Sequence, residues 1–183
     1  MAKRVVVKPG DIFCIELEDN TKCYFQNLGK DVEQLNSNVI CVFKKIYSQE
    51  AIPTCEDIVQ DEVNFYAHTY IKWWVKDSDW IKVGKATIYK KMENLYFKTF
   101  DREDGWIEWR VWKVNHRARF YKNTFSKKLY QKCEWGEAFP DIDIVSKITK
   151  GYFAKYMDDM DKEYQNRPDD IGILSFLNIF KKK

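Results

Sequence analysis

The sequence predicts an α+β fold that is predominantly antiparallel β, a twisted sheet or partly open barrel, with C-terminal helices. Two observations lead there. Up to Asn115 the chain is a series of β-branched and aromatic runs, alternating in polarity or apolar on both faces, separated by short Asp, Asn and Gly turns. Beyond Pro140 the apolar spacing becomes helical. The expected organisation is one strand-rich domain over 1–152, with a barrel-like N-terminal subdomain as one option, and a helical extension over 153–183.

Phe13, Ile15 and Leu17 share one face of the first strand, and Glu16 and Glu18 lie on the other. Asp19-Asn20 turns the chain, and Lys22 to Leu28 returns, so 11–28 reads as a hairpin that Gly29 breaks. Val39 to Phe43 is apolar on both faces and suits a central strand. Pro53-Thr54 with Glu56-Asp57 opens a short helix through Gln60. Val63 to Val75 and Trp80 to Tyr89 read as strands around the turn Lys76-Asp77-Ser78-Asp79.

Leu95 to Phe100 and Trp106 to Val114 flank a segment ending in Asp104-Gly105, a hairpin signal. In the second of these strands Ile107, Trp109 and Val111 make the better core face. Trp106, Glu108, Arg110 and Trp112 share the other. Asp141 is read as the N-cap of a helix whose stripe is Ile144, Val145, Ile148 and Tyr152, with Lys147 and Lys150 in its last turn and Gly151 ending it. A second helical segment, rich in Asp, covers 153–165.

Composition narrows the function. A hydrophobic fraction of 45% with seven Trp, eleven Tyr and twelve Phe supplies a real core. The net charge of +3, from 31 basic and 28 acidic residues, is too balanced to announce a nucleic-acid binder. The five cysteines have no Cys-x-x-Cys spacing, and no export signal precedes Lys8, so free thiols in the cytoplasm are expected. The longest apolar run, Ile171 to Phe180, is about half of what spans a bilayer. The two histidines, His68 and His116, have no Cys, Asp or Glu at a strand or helix spacing that would build a site. Phosphate loops, nucleophile elbows and EF-hand loops are missing from the pattern. No enzyme activity, cofactor or metal is expected.

Binding surfaces remain. The segment from Lys113 to Lys132 carries His116, Arg117, Arg119, Lys122, Lys127 and Lys128 with interleaved Phe120, Tyr121, Phe125 and Tyr130, and no acid. It reads either as a base-stacking surface or as a solvated connection whose aromatics pack inward. The tryptophans pose a parallel choice. If Trp73 and Trp74 are strand neighbours they point to opposite faces, so the sheet needs either helices over its second face or a partner. The candidate partner-binding residues are Trp106, Glu108, Arg110, Trp112, Arg117, Arg119 and Tyr121.

The phrase Lys8-Pro9-Gly10-Asp11-Ile12-Phe13, followed by a strand, an acidic turn and a returning aromatic strand, resembles the opening of the bacterial immunity protein 26 family. Trp80 to Lys85 and Trp106 to Val114 sit where that family's aromatic strands are expected, so the resemblance covers about 8–150. It implies a non-catalytic protein, found beside polymorphic toxin genes, that binds and neutralises a cognate toxin. The same opening is similar to that of a toxin family of small-barrel ribonucleases, but the downstream nuclease residues are missing. The alternative function is single-stranded nucleic-acid binding through 113–132.

Overall fold

The computed structural model describes residues 5–103, 106–121 and 125–165. The first sheet contains β1 (Asp11–Glu16), β2 (Thr21–Asp31), β3 (Ser37–Phe43), β4 (Tyr47–Ser48), β5 (Val63–Thr69) and β6 (Ile81–Lys85). Their order is β5-β3-β2-β1-β6, with β4 paired to β2, and every pairing is antiparallel. Helices α1 (Cys55–Gln60) and α2 (Ile71–Asp77) interrupt the strands. The second sheet contains β7 (Tyr96–Glu103), β8 (Trp106–Lys113), β9 (Arg119–Tyr121) and β10 (Glu134–Trp135) in the order β10-β7-β8-β9. Helices α3 (Lys127–Gln131), α4 (Asp141–Lys150) and α5 (Lys155–Gln165) complete the described chain. The α+β class is as the sequence predicts, as sheets that stay open rather than a barrel. Among the described residues no helix is long and apolar enough to cross a membrane.

Both faces of the first sheet are covered. Phe13 and Ile15 join Phe25, Ile40 and Trp80 in one core, while Ile12 and Cys14 join Val39, Cys41, Ile58 and Val59 in another. Alternation along β1 thus separates two cores rather than core from solvent. β3 is buried along its whole length between β2 and β5, as its two-faced apolarity requires. The Thr54 hydroxyl and Asp57 carboxylate of α1 cap each other's backbone amides in a capping box.

Three expectations are corrected. Gly29 does not end the hairpin: β2 runs on to Asp31, with a register shift between Asn27 and Gly29. Gly29 sits at φ +140°, so its lack of a side chain makes a bulge rather than a break. The run from Val63 to Val75 is not one strand. After Thr69 it becomes α2, where helical spacing turns Ile71, Trp74 and Val75 inward and leaves Lys72 and Trp73 exposed. Trp73 and Trp74 are therefore separated by helical geometry, not strand alternation. At α4, Pro140 holds the N-cap position and Asp141 is the first helical residue, its carboxylate accepting from the Ile142 amide at 2.8 Å.

The second sheet also buries both faces, as its tryptophans demanded. On one face Trp109 and Val111 pack with Tyr130 of α3 and Met157, Met160 and Tyr164 of α5. On the other, Phe97 and Trp112 pack against the first sheet, the Phe97 ring 4.1 Å from the His68 imidazole. The segment 134–139 stitches the sheets together: β10 pairs with β7, Ala138 bridges to His68, and the Phe139 amide donates to the His68 carbonyl at 2.8 Å.

Candidate partner-binding surface

The opening phrase of the chain builds one wall of a groove. Lys8 to Asp11 forms a tight turn closed by the Asp11 amide on the Lys8 carbonyl, with Gly10 at φ +89°. The buried Asp11 carboxylate accepts from the Lys8 amide at 2.8 Å and pairs with Lys82 at 2.7 Å. A side chain at Gly10 would also meet the Ala86 carbonyl at 2.9 Å, so glycine is required twice over. From β2, the Asn27 side-chain amide donates to the Lys8 carbonyl at 2.9 Å, and its oxygen accepts from Asn38 at 3.2 Å and Gly29 at 3.3 Å.

Beside this wall lies a cavity of about 500 Å³, lined by Pro9, Asn27, Gly29, Asn38, Tyr70 and Trp73, with Lys30 and Lys72 as the only charged lining residues among those described. Ile71 buries the start of α2, which fixes Tyr70 and Trp73 one turn apart with ring centroids 4.5 Å from each other. Trp73 is 57% exposed, the most exposed of the described tryptophans.

From the groove the surface continues across the β2–β3 loop. The Tyr70 hydroxyl donates to the Leu35 carbonyl at 3.4 Å. The Gln34 side-chain amide donates to the His116 carbonyl at 2.6 Å, and its oxygen accepts from Arg119 Nε at 2.6 Å. Arg117 pairs with Glu33 at 2.7 Å, and the exposed Val32 donates its amide to Asn115 Oδ1 at 3.0 Å. Arg117 and Arg119 are thus held against the same β2–β3 loop that Tyr70 touches.

Beneath it sits a buried polar cluster. Asp31 and His68 are both fully buried, with the His68 Nε2 3.2 Å from Asp31 Oδ2. Trp112 Nε1 donates to the same oxygen at 3.3 Å, and the Asn115 amide donates to Oδ1 at 3.1 Å. Burial pushes the Asp31 carboxyl up, but the bonds from His68, Asn115 and Trp112 outweigh it and hold the group below the ordinary carboxylate value. Burial holds the His68 imidazole below its ordinary value, against the pull of Asp31. We assign Asp31 as ionised and His68 as neutral with its proton on Nε2, since the carboxylate only accepts and Nδ1 has no partner for a second proton. The cluster lies under Trp112 and Phe97 rather than in a cleft.

The other candidate residues divide. Trp112 is only 1% exposed, so the surface position expected for it is not found: the charged face of β8 dips under the first sheet at this end. Its rung neighbour Arg119 lies over the ring at 5.7 Å. Glu108 and Arg110 stay at the opposite end of β8, where Arg110 pairs with both Glu108 and Asp101. The side chains of Trp106 and Tyr121 lie outside the described residues. Of the basic segment's aromatics, Phe125 and Tyr130 pack inward, while the Phe120 side chain, like the cation Lys122, lies outside the described residues. Sequence reasoning raised Trp73 only as one of the tryptophans and missed Tyr70, Lys30, Lys72 and the His68–Asp31 pair. Only the exposed helical phase of Trp73 was available as a signal, once α2 is read as a helix. Among the described residues no group of three or more His, Cys, Asp or Glu could hold a metal ion.

A family model described as Immunity protein 26 matches residues 8–109, from the Lys8 turn to the core tryptophan of β8. No curated protein and no solved structure gives a match. The matched stretch takes in the first sheet, the groove wall and α2, and on this ground the chain belongs to the Immunity protein 26 family.

Proposed function

We propose that this immunity protein neutralises a cognate bacterial toxin by binding it stoichiometrically, without catalysis, in the cytoplasm where its five free cysteines stay reduced. The observation that carries the reading is the family match over a region that contains an aromatic groove, whose described lining residues offer no acid–base group other than Lys and Tyr. Trp73, Arg117 and Arg119 form the contact surface we favour. Glu108 and Arg110, with Trp106 and Tyr121 on the same hairpin and its neighbour strand, form a second set. Nucleic-acid binding through 113–132 is the weaker reading, because Phe125 and Tyr130 are in the core and Arg117 is paired with Glu33.

The test is co-expression with the toxin domain encoded beside the gene for this chain. Growth should be restored and the two chains should co-purify as a complex of fixed stoichiometry. Rescue at far below equimolar amounts, with the toxin left chemically altered, would point to catalysis and sink the proposal.

A further inference from the structure

We infer that the groove between Gly29, Asn38 and the Tyr70–Trp73 pair seats an acidic loop of the toxin, with an apolar side chain of that loop on Trp73 and its carboxylates facing Lys30 and Lys72. The inference rests on the toxin-binding reading above and adds where the partner sits and what chemistry it brings.

Three features of the groove select that occupant. Its floor is already hydrogen-bonded within the fold: Asn27 and Asn38 bond to each other, Asn27 bonds to the Lys8 carbonyl, and Tyr70 bonds to the Leu35 carbonyl. A small polar ligand needs convergent donors and acceptors, which these groups direct elsewhere. A protein loop needs only shape and apolar contact at that depth. The Trp73 ring, more than half exposed beside Tyr70, is the kind of rigid aromatic that anchors protein interfaces.

Charge then sets the sign of the partner. The described lining residues include two lysines and no acid. Neither Lys30 nor Lys72 has an ion pair among the described residues, so neither charge is neutralised there. Exposed, unneutralised cations lining an aromatic groove favour and steer an acidic segment. At about 500 Å³ the groove accommodates a few side chains. A standard interface buries roughly 800 Å² per partner, so the neighbouring surface around Val32 and Arg117 completes the footprint.

The experiment measures association and dissociation rates of the adjacent-gene toxin domain, inactivated, with the full chain. Trp73→Ala should weaken the complex roughly thirtyfold, mainly through faster dissociation. Lys30→Glu with Lys72→Glu should slow association about tenfold at low salt, and the difference should vanish near 0.5 M salt. Replacing the facing toxin carboxylates by Lys should restore the rate to the doubly reversed variant. Because all three substituted side chains are exposed, thermal unfolding should stay close to wild type. A wild-type complex that neither variant alters overturns this inference and leaves toxin binding standing. Absence of any wild-type complex overturns both. Retention of an oligothymidine that the same variants abolish would assign the groove to nucleic acid and overturn the inference.

Discussion

At Asp31, one carboxylate without solvent contact accepts from His68, Trp112 and the Asn115 amide, so it ties β5, β8 and the turn after β8 to the end of β2. Asp31→Ala leaves two buried donors, on His68 and Trp112, and the part-buried Asn115 amide unmatched, and we expect a loss of about 3 kcal/mol in urea unfolding. Both members of the pair titrate below their ordinary values, so in acid the unfolded chain binds more protons than the native one. The His68 part of the stability is fully present above pH about 6.5 and is lost as pH falls below it; the Asp31 part goes at lower pH, as the medium passes from the ordinary carboxylate value through the depressed one. The half-buried Glu134, raised by desolvation, acts with the opposite sign. Comparing the pH 7.5-to-5.5 slope of unfolding free energy in wild type and His68→Gln isolates the imidazole. An unchanged slope would refute the neutral assignment. None of this was legible in the sequence, because Asp31 and His68 meet only through the β2–β3–β5 register. At Gly136 a methyl group would overlap the Trp112 ring, and Gly136→Ala should cost about 1–3 kcal/mol.

At the scale of elements, β1, β2, β3, α1 and the β7–β8 hairpin were readable because each carries its own local signal: a turn, a capping box or a two-faced apolar run. Thr54→Ala should remove about 1 kcal/mol by opening the box at α1, measured by thermal unfolding. α2 was not readable, since Ile, Trp and Val favour strands and only the change of period at Ile71 marks the helix. The Asp-rich α5 carries Met157, Met160 and Tyr164 onto Trp109 and Tyr130. Its Asp161 meets the buried Lys98 amine at 2.7 Å and the Tyr130 hydroxyl at 3.0 Å. Deleting residues 153–183 should therefore expose the Trp109 core and leave a chain that binds a hydrophobic dye and unfolds without cooperativity. Cooperative unfolding at the wild-type midpoint would show the segment to be a dispensable extension.

For the whole molecule, the aromatic surplus is explained by sheets buried on both faces, a conclusion composition suggested but could not locate. Arg117 and Arg119 were legible as surface cations from their run. The groove was not, because Pro9, Asn27, Asn38 and Trp73 converge from four separate elements and turns. The seam at 134–139 has a temporal consequence. A ribosome adds about 5–20 residues per second. The β5 edge at His68 therefore waits roughly 4–14 s for Ala138, with the strand's outer amides and carbonyls bare. The matched region is therefore complete before that edge is covered, and the β5 edge closes only when residues well downstream of the matched stretch have emerged and docked.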